Sequence, residues 1–108
     1  METLELSKEI NSISGNVIKT LSFDFDALTP MDYKQAIKLE YKIKGEAATV
    51  IDINSWSKST SSEFRIATAW LAAIKGTQGL ILDDIDKISF KDMLELEKMS
   101  IFFIAGLE

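Results

Sequence analysis

Residues 63–76 read EFRIATAWLAAIKG, and this stretch limits the fold more than any other. On a helical wheel Phe64, Ile66, Ala67, Ala69, Trp70, Leu71, Ala73 and Ile74 cover more than half the circumference; only Arg65, Thr68 and Lys75 mark a polar wedge. A helix that is apolar nearly all round must be covered on nearly every side, so the rest of the chain has to wrap it. Its alanines let neighbours come close. Thr60-Ser61-Ser62-Glu63 has the form of a capping box at its start, and the helix is expected to run to Lys75 and end at Gly76. A chain of 108 residues, 46% hydrophobic, fits one domain, residues 1–108, with a modest core.

The flanking segments supply the cover. TLELSKEI, 3–10, and VIKTLSFDF, 17–25, read as two strands joined by a turn around Gly15. Alternation puts Val17, Lys19, Leu21, Phe23 and Phe25 on one side of the second strand, with Ile18, Thr20, Ser22 and Asp24 on the other. A lone hairpin is marginal in water, so it needs a helix beneath it or a partner's strand beside it. Thr29-Pro30-Met31-Asp32 then starts a helix: Thr29 as N-cap, Pro30 at the first position, Asp32 at the positive end. This helix is expected to reach Lys44, with Gly45 after it. Lys34, Gln35, Lys38 and Lys42 share its polar face, and Glu40, inside the apolar arc, is expected to pair with Lys44.

In residues 46–58, Val50, Ile51 and Ile53 suggest a short extended piece. Asp52 to Glu63 has the length of a calcium loop, but Trp56 stands where an oxygen ligand belongs and Ser57 where glycine makes the turn. In LILDDIDKIS, 80–89, the acids Asp83, Asp84 and Asp86 read as the start of a single helical turn that puts Ile85 and Ile88 on the core, rather than as a cation site. Ser89 and Asp92 cap a last helix running to about Ala105. The fold class is therefore α+β, an N-terminal β-hairpin packed on a bundle of three main α-helices.

Several functions lose their chemistry at once. The chain has no His and no Cys, so the usual nucleophile–base pairs are missing, and neither an enzyme nor a cofactor or metal is expected. The net charge of −5 has no basic patch within it to neutralise phosphates, which argues against nucleic acid. The longest apolar run, Ile66 to Ile74, is too short to span a membrane, and METLELSKE lacks the basic start and apolar stretch of a signal peptide. A cytoplasmic location is expected.

The order of segments resembles that of the small tail assembly chaperones of long-tailed bacteriophages and prophages. The family pattern runs strand, strand, an L-T-x-x-D helix, an Ala-rich helix, a Leu/Ile-rich turn, then S-x-x-D and a helix with an apolar end. Leu28, Thr29 and Asp32 match the first signature; Ala67, Ala69, Ala72 and Ala73 match the Ala-rich helix; Ser89, Asp92, Phe102 and Phe103 match the last. The likeness covers nearly the whole chain except 46–58. It implies a protein of the bacterial host's cytoplasm that binds the long helical tape measure protein and keeps it soluble until tail-tube protein polymerises around it. In several phages a frameshifted longer form recruits the tail-tube protein. A non-phage adaptor or small inhibitor is the alternative.

For such a partner the last helix offers two stripes. Phe90, Met93, Leu94, Ile101 and Ile104 are expected to face the core, leaving Leu96, Met99 and Phe103 for another chain. The competing arrangement packs the second stripe under the hairpin and moves the partner surface to Tyr33, Ile37 and Tyr41. Spare stripes and an open hairpin edge also imply a homo-oligomer.

Overall fold

A computed structural model of the chain describes residues 2–45 and 62–107, apart from the side chains of Lys44 and residues 104–107. An antiparallel hairpin, β1 (Glu2–Asn11) and β2 (Val17–Phe23), packs against three helices, α1 (Pro30–Lys44), α2 (Ser62–Gly76) and α3 (Phe90–Leu107). Two 3-10 turns, Phe25–Ala27 and Leu82–Lys87, lead into α1 and α3. This is the expected α+β architecture. The expected extended piece at Val50–Ile53, residues 52–61 of the Asp52–Glu63 stretch and the Thr60–Ser61 part of the cap lie outside the described residues.

α2 is the centre. It touches α1, α3, β2 and both 3-10 turns, as a helix apolar nearly all round requires. Trp70 is fully buried, and its indole N–H donates to the carbonyl of Leu82 at 3.0 Å, so its one polar atom is satisfied. Ala67, Ala69, Ala72 and Ala73 are all without exposed surface, and β2 comes close enough for the Asp24 N–H to bond the Ala72 carbonyl.

The cap at the start of α1 forms as the local sequence dictates. The Thr29 hydroxyl accepts from the Asp32 N–H and the Asp32 carboxylate accepts from the Thr29 N–H, while Gly45 takes the left-handed conformation with φ +78°. Glu40 is buried; its expected partner, the Lys44 side chain, lies outside the described residues.

The hairpin departs from simple alternation. Pairing runs from Glu2↔Phe23 to Glu5↔Thr20, then resumes at Ile10↔Ile18, so Leu6 to Glu9 stand opposite Lys19 alone. Such a bulge turns the strand about its axis. Leu21 and Phe23 point inward as expected, but so does Ile18, while Val17 and Lys19 are exposed. β2 also stops at Phe23, and Phe25 opens the 3-10 turn.

Side-chain contacts fasten the hairpin to the rest of the fold at its turn, its bulge and one outer edge. At its turn, the Asp84 carboxylate accepts from the Ser12 hydroxyl and the Ile13 N–H. At its bulge, the Asp92 carboxylate accepts from the Ser7 N–H at 3.0 Å. At the outer edge of β2, Thr77 Oγ1 accepts from the Ser22 N–H at 2.9 Å. Among the described residues no helix is long and apolar enough to cross a membrane.

Candidate functional site

The helix α3 carries the surface of interest, and the structure exchanges the roles expected for its two stripes. Leu96 has no exposed surface and belongs to the core. Met99 is half-buried against that core, and Phe103 stacks on Phe25 with ring centroids 4.5 Å apart. Conversely Phe90 is 72% exposed, Leu94 and Ile101 each 43%, and Phe102 79%. Of the stripe expected to face the core, only Met93 packs against it, and the Ile104 side chain is not described.

The cause lies in two polar residues. Asp92 and Ser100 are buried and share the inward side of α3 with Leu96. Burial alone would raise the Asp92 carboxyl; the N–H of Ser7, the hydroxyls of Ser89 and Ser7 and the N–H of Lys8 outweigh it and hold it below its ordinary value. A wheel that counts apolar residues alone scores those two positions as solvent-facing and turns the helix the wrong way.

Of the alternative surface, Tyr33 is 46% exposed and meets Phe64 edge-on at 5.7 Å. Ile37 is a core residue and Tyr41 is half-buried against the core. These three residues therefore do not make one open face.

Two surface features result. Phe90, Leu94 and Ile101 fall within about 40° of one another on the helical wheel, forming an outward apolar strip whose middle turn carries Glu97, paired with Arg65 at 3.0 Å in a contact that ties α2 to α3. At the far end of α3 an open groove of about 740 Å³ lies against the hairpin. Phe23, Phe25 and Phe103 form a run of stacked rings in it, at 6.0 and 4.5 Å. Met99 and Phe102 complete the apolar lining, and Glu2, Asp24 and Asp26 supply its charge. Among the described residues the lining offers carboxylates and no hydroxyl, thiol or nitrogen base. The expected strand 17–25 ended at Asp24 and Phe25, with Asp26 just beyond it, so none of the three was read as a site residue.

The acid-rich turn resolves as a fastening. Asp84 points inward, fully buried, and also accepts from the Ile81 N–H at 3.0 Å. Asp83 and Asp86 reach the Lys42 ammonium at 3.3 and 3.4 Å. Among the described residues no group of acids is placed to hold a metal ion. No family model, curated protein or solved structure matches the chain.

Proposed function

We propose that this protein is a tail assembly chaperone of a phage or prophage. It would bind the tape measure protein in the bacterial cytoplasm and keep it soluble during tail-tube assembly. The observation that carries the reading is the outward strip Phe90, Leu94 and Ile101, on a domain whose core other residues fill. The strip spans about 16 Å of helix, three turns, which suits a second helix lying alongside. A long amphipathic helix aggregates through its apolar face, and covering that face in segments prevents this. The charge of −5 keeps the loaded complex dispersed. The partner's identity rests on the order of the L-T-x-x-D, Ala-rich and S-x-x-D segments.

Co-expression with the phage's tape measure protein tests it. The wild-type chain should keep that protein in the soluble fraction. A Phe90→Ser, Leu94→Ser, Ile101→Ser variant should fold normally and leave it in the pellet. If the wild type gives no protection, the interaction adaptor or inhibitor replaces the chaperone. If the folded triple variant still protects, the strip is not the binding face.

A further inference from the structure

The groove at the end of α3 has a chemistry that the apolar strip lacks. Phe102, 79% exposed, and the stacked Phe103 provide ring faces. Glu2, Asp24 and Asp26 line the same space, and among the described residues none of the three is in an ion pair. Carboxylates and aromatic faces thus converge on one opening, and each of them attracts a cation. The rings and Met99 take apolar surface.

We propose that this groove binds an arginine-bearing apolar segment of the helical partner, with an aliphatic side chain against Phe102 and Phe103 and the guanidinium held between the rings and Asp24 and Asp26. Arginine fits better than lysine because its planar group both stacks on a ring and forks onto a carboxylate. On the helical wheel Phe102 stands about 100° from Ile101 and Phe103 further round, so the groove takes a segment of the partner separate from the one that lies on the strip. The inference rests on the reading that the protein holds a helical partner, and it adds the charge that the partner must carry there.

Three 18-residue helical peptides serve as probes: one with a leucine stripe flanked by arginines, one with glutamate in place of each arginine, and one with serine in place of each leucine. Binding is measured by calorimetry on the full chain and located by the ring resonances of Phe23, Phe25, Phe102 and Phe103. The leucine–arginine peptide should bind, shift those rings and weaken with salt, while the other two should not bind. Asp24→Asn with Asp26→Asn should weaken it about five-fold, as two exposed charge pairs allow, and Phe102→Ser should weaken it comparably. Glu5→Gln with Glu9→Gln removes the same charge elsewhere on the surface and should leave affinity within two-fold.

Equal binding of the glutamate peptide, equal effects of the two charge-removing pairs, or shifts confined to other residues would each overturn the assignment. If Phe102→Ser fails to fold, the aspartate pair and its control decide alone. Failed protection of the tape measure protein with arginine selectivity intact rejects only the partner's identity. Lost selectivity with protection intact rejects only the groove.

Discussion

Asp84 and Asp92 do the work that missing backbone hydrogen bonds would do. Asp84 accepts from the main chain of the hairpin turn and from Ile81, and Asp92 from the bulged Ser7. Burial alone would raise the Asp84 carboxyl, but the Ser12 hydroxyl, the N–H groups of Ile13 and Ile81 and the charge of Lys87 bring it below its ordinary value of 3.8. Both acids are thus easier to ionise folded than unfolded. Their stabilisation is complete above the unfolded value and is lost as pH falls through the lower folded one. Melting temperature should therefore hold level from pH 7 to about 5 and drop below about 4. Asp84→Asn should cost about 2 kcal/mol at pH 7 and flatten the acid limb, as thermal unfolding across pH would record. The sequence announced a turn at DDID but could not say which acid turns inward, because Ser12 lies 72 positions away. Trp70 was readable, since its whole helix is apolar; Trp70→Ala should cost roughly 3–5 kcal/mol in urea unfolding.

At the scale of elements, what was legible was local. Thr29, Asp32 and Gly45 bound α1 through contacts within a turn, and α2 announces its burial by composition. The bulge in β1 was not legible, because the Asp92 carboxylate that satisfies it belongs to α3. Nor was the orientation of α3, where Asp92 and Ser100 occupy inward positions. The corrected orientation makes a contrast that unfolding can test. Leu96→Ala should lose about 2–4 kcal/mol, while Leu94→Ala, two residues earlier, should stay within about 0.5 kcal/mol of wild type. The candidate site followed the same division. Met99 and Phe103 were picked out and do line the groove, whereas Leu96 is core, and the outward strip consists of residues assigned to the interior.

At the scale of the whole molecule, the question is where a second copy would attach. The hairpin has two outer edges among the described residues. Thr77 covers part of the β2 edge at Ser22. Since Ser22 sends its N–H outward, its partner Thr3 does the same, which leaves the β1 edge open. That edge, however, carries Glu5, Lys8 and Glu9, and charged, bulged edges resist pairing. The charge within the strip on α3, Glu97, is already paired with Arg65, so we expect self-association to run through the strip, helix against helix, in competition with the helical partner. One three-turn strip falls short of a standard interface, so the dimer should be weak, with Kd of roughly 0.1 mM. Sedimentation equilibrium should show mass rising with concentration. Phe90→Lys with Leu94→Lys should hold the chain monomeric at every concentration. Thr3→Pro, which removes an outward N–H from the β1 edge, should leave the association unchanged; if it abolishes the dimer, the hairpin edge is the contact and the strip is reserved for the partner.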